Sequence, residues 1–288
     1  MVRDDQLSRA NTETHWDPSA YMQFARLRQR PVVELLDHIE MHAPQRIYDL
    51  GCGTGIATEL LARRWPDAEL HGVDSSAEML AEAARLPIKA SWERANLQHW
   101  CAERPGSLIF AAAVLHFIER HGSLLPRLLG QLSPSGCLAA HMPNWRDASW
   151  YRLMLDALDS AGPAGSPLGS PALRYLMQQR NVLSLDNYYR LLAPLCAEVD
   201  IWETEHLQVV DGNDPIFDWV KVSALRPVLG ELDEEARRRF LDRYLELLHR
   251  YYPRELDGRT LFPFRRVFIV ASLAPLKTRA NFRPKDEA

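Results

Sequence analysis

The chain has 288 residues, of which 47% are hydrophobic and 25% charged, with a net charge of −4. That is enough to bury the core of one sizeable α/β domain, and the near-balanced charge excludes a general pull toward nucleic acid or a membrane surface. The cysteines at 52, 101, 137 and 196 have no paired spacing, which excludes a disulfide framework and a zinc site. The longest apolar run, Leu108 to Ile118, falls well short of the roughly 20 residues a membrane span requires. The N-terminus lacks the apolar stretch of a signal peptide, so a cytoplasmic location is expected, with the chain a monomer or weak dimer.

Residues 1–16 and 274–288 read as polar tails. From Tyr21 to Met41 the apolar residues fall at helical spacing, with Pro31 as a kink or a new start. The pattern then changes to alternation. Arg46 to Leu50 is a short strand, Gly51 to Gly55 a turn, Ile56 to Trp65 a helix, and Ala68 to Asp74 a second strand. Ser75 is read as the cap of a third helix, with Glu78 completing a capping box. Ile88 to Arg94, Leu108 to Ala113 and Gly136 to Met142 are further strands, with helices between them. Such alternation implies a mostly parallel sheet with helices on both faces. Beyond Pro143 the rhythm breaks. Trp150 to Ser160 is helical, Gly162 to Pro171 is a loop, Asp186 caps a helix through Leu195, and Asp214 to Arg250 is mostly helical with a break at Pro227. Glu198 to His206 and Arg266 to Leu273 are strands. One domain over 17–273 is expected, with insertions at about 144–184 and 211–262 forming a cap over the sheet.

The sharpest motif is Asp49-Leu-Gly-Cys-Gly-Thr-Gly55, lying between a strand and a helix. Gly51, Gly53 and Gly55 let the backbone turn tightly beside a ligand, and the helix N-terminus offers unpaired N–H groups. Dehydrogenases also use a glycine turn, but here the spacing is G-x-G-x-G rather than G-x-G-x-x-G. Asp49 precedes the turn, where it can meet an ammonium group and would repel a dinucleotide pyrophosphate. Asp74 ends the next strand, where an acid can accept both ribose hydroxyls. Together these features fit S-adenosylmethionine. Cys52, Ser75 and Met79 are expected beside it, with Asn96 reaching the adenine amino group, Leu97 against the ring and Ala111 beneath. The bland alternative is a glycine turn flanked by two capping acids.

Several further stretches are distinctive: Trp16 to Tyr21, Gly72 to Met79 and His141-Met-Pro-Asn144, beside Asp49 to Gly55. More telling, because they lie outside the cofactor motif, are Tyr188-Tyr189, Glu198 to Thr204, Asp218-Trp-Val220, Leu225-Arg-Pro227 and Phe264 to Ala271. In these stretches, and over about residues 16–273, the chain resembles the trans-aconitate methyltransferase family. The resemblance implies a Rossmann-like class I methyltransferase fold with a seven-stranded sheet and a helical cap. It also implies methyl ester formation on a small tricarboxylate. The chain departs from the family pattern near the expected transfer point, where Gln-Trp becomes His116-Phe117, and in the adenine motif, where an acid becomes Asn96.

An ionised carboxylate needs no general base at neutral pH, since its ordinary pKa is about 4. It needs positive forks, and Arg226 and Arg266 are the preferred ones because they sit in the family-like segments. Arg28, Arg30 and Arg265 are further candidates. Tyr21, Trp145, Tyr188 and Trp219 are read as pocket walls, with Tyr21 also near the reacting groups. His116 is either a hydrogen-bonding wall residue or a base for a hydroxyl or amine acceptor. No metal is expected. Competing readings are the same fold acting on another small molecule, a non-catalytic binder of the donor, and a nicotinamide dehydrogenase.

Overall fold

The computed structural model describes residues 24–145, 147–179 and 181–275. The expected tails lie mostly outside these residues. Seven strands form one sheet: β1 (Arg46–Leu50), β2 (Glu69–Asp74), β3 (Ala90–Arg94), β4 (Gly106–Ala112), β5 (Leu132–Pro143), β6 (Glu198–Val210) and β7 (Thr260–Ser272). Their order is β3-β2-β1-β4-β5-β7-β6. β1 to β5 pair in parallel, whereas β7 runs antiparallel between β5 and β6. The order reverses between β1 and β4, so a crevice opens beyond their carboxyl ends.

The parallel strands are near-continuous apolar runs because both faces are covered. On one face Leu35 and Leu36 of helix α1 (Ala25–Asp37), Ile39 just beyond it and Leu61 of α2 (Ile56–Arg64) pack on Ile47, Leu108, Phe110 and Phe268. On the other, Leu124, Leu125 and Leu128 of α4 (His121–Leu129) and Tyr188 and Leu192 of α7 (Leu185–Leu192) pack on Leu50, Ile109, Leu138 and Ile269. α3 (Ala77–Ala83) follows β2. Helix α1 runs through Pro31 without a break.

A third core lies apart from the sheet. It joins α5 (Ser149–Ser160), α6 (Pro171–Gln178), α8 (Pro215–Lys221), α9 (Arg226–Glu231) and α10 (Glu234–Tyr251) to the far ends of β6 and β7. Trp150, Met154, Trp219, Phe240, Tyr244, Phe262 and Phe264 are all buried in it. At about 1.5–3 kcal/mol for each large apolar side chain, this cluster is what holds the helical cap on the sheet.

Several boundaries differ from the sequence reading. The cap of α3 is Ser76, not Ser75: its Oγ accepts the Met79 N–H at 3.2 Å and donates to Glu78 at 2.7 Å. Both serines precede an apolar helix, and the backbone bend after Asp74 decides between them. Ser184 stands at the N-cap of α7, with Asp186 inside the first turn. β6 and β7 run to Val210 and from Thr260, so the second insertion ends earlier than expected. The two strands pair with each other along their whole length, and that register is set by each other rather than by local pattern. The expected 162–171 loop contains a short turn at Pro163–Gly165 before α6 begins. Among the described residues no helix is long and apolar enough to cross a membrane.

Candidate active site

A cavity of about 680 Å³ opens where β1 and β4 end, floored by the sheet and roofed by the cap. The volume is that of a small-molecule site.

One end is built from main chain. Gly51 has φ +70, and a Cβ there would stand 2.4 Å from Val114 Cβ, so the loop can pass β4 only as glycine. Gly51 and Cys52 donate their N–H groups to the Val73 carbonyl, at 2.7 and 3.1 Å, which ties the turn to β2. Asp74 completes the tie: Oδ2 accepts the Gly53 N–H at 2.9 Å and Oδ1 the Ser76 N–H at 2.9 Å. Burial lifts the Asp74 pKa above the usual carboxylate range. Gly51, Cys52, Gly53, Asp74, Ser75, Met79, Asn96 and Leu97 all line this end. Asn96 stands exposed at the lip, its Oδ1 already accepting the Gln98 N–H at 2.9 Å.

Three of the expected cofactor residues stand behind the lining. Asp49 is buried under the loop, with Oδ2 accepting from Thr58 Oγ1 at 2.6 Å and Oδ1 without a hydrogen-bond partner among the described residues. Desolvation, followed in effect by the neighbouring Asp74 charge, raises its pKa to about 7 despite the Thr58 hydrogen bond. Gly55 faces Leu86 and Trp92. Ala111 points into the core on the other side of the sheet, because side chains alternate along a strand. Its neighbours Ala112 and Ala113 line the cavity instead. Ala113 holds φ +54, uncommon for a residue with a Cβ, and its N–H donates to the His141 carbonyl at 2.8 Å.

The other end is built from side chains. Arg226 opens α9 and is half-buried, with desolvation lowering its pKa. Arg266 lies on β7, is 3% exposed, and packs its guanidinium 4.5 Å over the Phe264 ring. Its Nη1 donates to His206 Nδ1 at 2.8 Å, which leaves the His206 Nε2–H to donate to Glu34 at 2.8 Å. Glu34 also accepts from Trp202 at 3.0 Å and from Thr204, so this one carboxylate anchors the whole relay. Burial is the largest influence on Glu34 and acts upward, but its donors together outweigh it and hold its pKa below the usual value. Arg28 of α1 stacks 4.5 Å over Trp219. Trp145, Trp150 and Phe117 complete the wall.

His116 sits on a short turn, Leu115–Phe117, between the two ends. His121 braces that turn: Nε2 donates to the Leu115 carbonyl at 2.9 Å while Nδ1 accepts from the Tyr188 hydroxyl at 2.7 Å. Asn181 donates to the His116 carbonyl at 3.1 Å. The His116 ring packs edge-on to Trp145 and is buried, and its Nδ1 finds no partner among the described residues. Burial, with a smaller push from His121, drives its pKa down to about 3. A ring so weakly basic stays neutral across the physiological range, which favours the hydrogen-bonding reading over the general base.

The cavity thus unites eleven of the expected site residues: the eight at the first end, together with His116, Arg226 and Arg266. Tyr21 lies outside the described residues. Tyr188, expected in the wall, instead supports the His116 turn from behind. Sequence reasoning missed His141, Trp150 and Phe264 in the lining and the Glu34–His206 relay behind it. The quoted stretches held His141, Phe264 and Arg266, but no spacing joins them to Glu34.

The sheet order and the glycine-turn crevice define a class I methyltransferase domain. A family model described as a methyltransferase domain matches residues 47–136. The fold is shared with phosphoethanolamine N-methyltransferase 2 of Haemonchus contortus (TM-score 0.53, 15% identity, 93% of this chain and 59% of that one). A putative methyltransferase of Bacillus halodurans shares it too (TM-score 0.53, 10% identity, 85% and 100%). A trans-aconitate 2-methyltransferase of Pseudomonas paraeruginosa is 91% identical over 273 residues, covering 95% of this chain and 99% of the relative. One of Methylobacterium radiotolerans is 43% identical over 260 residues, covering 90% and 98%. The chain belongs to the trans-aconitate 2-methyltransferase family, and it is a methyltransferase.

Proposed function

We propose that the chain transfers the methyl group of S-adenosylmethionine to a carboxylate of trans-aconitate, forming a methyl ester. The observation that carries this reading is the polarity of one cavity. Its lining acids, Asp74 and Glu78, stand at the glycine-turn end, where Arg94 is the one lining arginine and donates to the Ser75 carbonyl, whereas Arg28, Arg226 and Arg266 gather at the cap end with no lining acid beside them. A cationic donor fits the first end. Asp49 keeps a buried oxygen with no partner among the described residues, and its raised pKa marks a place short of positive charge. A tricarboxylate fits the second.

When bound, the donor supplies a methyl group activated by a sulfonium. Gly53, Asp74, Met79 and Leu97 would hold it, and the Asp74 carboxylate keeps two backbone N–H groups and the loop in place. Arg226 and Arg266 would fork the acid's carboxylates and hold one oxygen toward the donor. No base is needed for an acid ionised in solution. The aromatic wall of Trp145, Trp150, Trp219 and Phe264 excludes water, which strengthens each charge contact.

Incubating the protein with labelled donor and a panel of small di- and tricarboxylates, read by mass spectrometry, tests the reading. A methyl ester of trans-aconitate is expected as the main product. Good turnover of another acid, with none of trans-aconitate, would overturn it.

A further inference from the structure

His141 lies on β5, paired in register with Phe268 of β7 and 2% exposed. It lines the cavity, and neither ring nitrogen has a hydrogen-bond partner among the described residues. An unpaired polar group in a core destabilises a fold, and a leucine of similar volume would serve packing better. A buried imidazole in a cavity wall with both nitrogens unpartnered among the described residues is therefore placed for something that enters the cavity.

Its surroundings say what that is. The groups whose charge acts on its ring are Arg266 from β7, His116 from the turn after β4, and His206 from β6. None is acidic. Its own carbonyl receives the N–H of Ala113, the left-handed residue just after β4 that also lines the cavity. His141 thus shares the cavity lining with Ala113 and Arg266, while the lining carboxylates, Asp74 and Glu78, belong to the glycine-turn end.

We propose that His141 is an acceptor-recognition residue that donates a ring N–H to a carboxylate oxygen of the acid, beside the fork of Arg266. This rests on the carboxylate-ester reading above. Burial next to that guanidinium keeps the ring neutral, well below its usual pKa, so one nitrogen carries a proton and the other is an acceptor. A neutral donor is suited to the task. It recognises an oxygen without adding a second permanent charge that the free protein would have to bury.

The experiment compares His141→Leu and His141→Gln with the wild type in trans-aconitate methylation, with thermal melts of the free proteins. His141→Leu is expected to raise KM for the acid at least tenfold, leave KM for the donor within twofold, and melt no lower than wild type. His141→Gln, which keeps an N–H donor, is expected to recover part of the acid affinity. In the wild type, the ¹⁵N-imidazole signals missing from His141→Leu should shift when the acid is added. An unchanged acid KM in both variants beside wild-type turnover overturns this proposal alone. Equal rises in both KM values with a lowered melt would make His141 a structural residue. Failure of the wild type to esterify the acid, with those signals unmoved by it, would overturn both the proposal and the reading beneath it.

Discussion

The two ends of the cavity are made in opposite ways. The proposed donor end is built around a loop of consecutive residues whose N–H groups are tied down by Asp74 and the Val73 carbonyl, with Met79, Asn96 and Leu97 joining it from the next segments. The acceptor end is assembled from α1, β5, β6, β7 and the cap, with each contact made by a side chain. A backbone site tolerates little, because a Cβ cannot be moved aside. A side-chain site can be retuned one residue at a time. The donor end therefore keeps the general glycine pattern. Of the two departures from the family pattern, Asn96 stands exposed at the lip of that end, and His116-Phe117 lies where side chains make the wall.

The largest expected effect tests the rigidity of the donor end. Gly51→Ala adds left-handed strain and a 2.4 Å clash with Val114, and is expected to cost about 2–5 kcal/mol in chemical denaturation. Gly53→Ala, with φ +56 and nothing within 4 Å, is expected to cost only about 1–2 kcal/mol while still weakening the donor. Equal losses in the two variants would show that the loop is not pinned against β4.

A cross of two substitutions separates the ends. Asp74→Ala is expected to weaken donor binding by more than tenfold, about 1.4 kcal/mol, with little change in acid affinity. Arg266→Met should do the reverse, raising KM for the acid more than tenfold. Calorimetry for the donor and initial rates for the acid read the two effects. If each variant harmed both ligands alike, the division of the cavity would fail.

A separate effect is in the pH dependence of stability. For His116, with pKa about 3 in the fold against 6.5 ordinarily, the unfolded chain binds a proton between those values and the folded chain does not. This group's contribution is thus lost as pH falls below about 6.5. Asp49 acts oppositely: its pKa of about 7, against 3.8, gives a contribution present at low pH and lost as pH rises through about 7. In urea melts, His116→Phe should gain on the wild type as pH drops from 6.5 toward 4. Parallel midpoints over that range would mean that the ring is solvated.

What the chain could announce by itself was whatever is local. The alternation of strands and helices, the glycine turn and the two acids are readable because each depends on residues a few positions apart or on one short βαβ unit. Even there, details settled by backbone direction were hidden. Ser76 rather than Ser75 caps α3, and Ala112 rather than Ala111 faces the cavity, since a shift of one residue reverses a strand's face. The acceptor end was decided only in three dimensions. Glu34 and His206 are 172 positions apart, and His206 and Arg266 are 60 apart. They meet because β6 and β7 pair antiparallel beneath α1. Burial then gives His116 and His141 their neutral character, a property that belongs to the packed interior and to no residue taken alone.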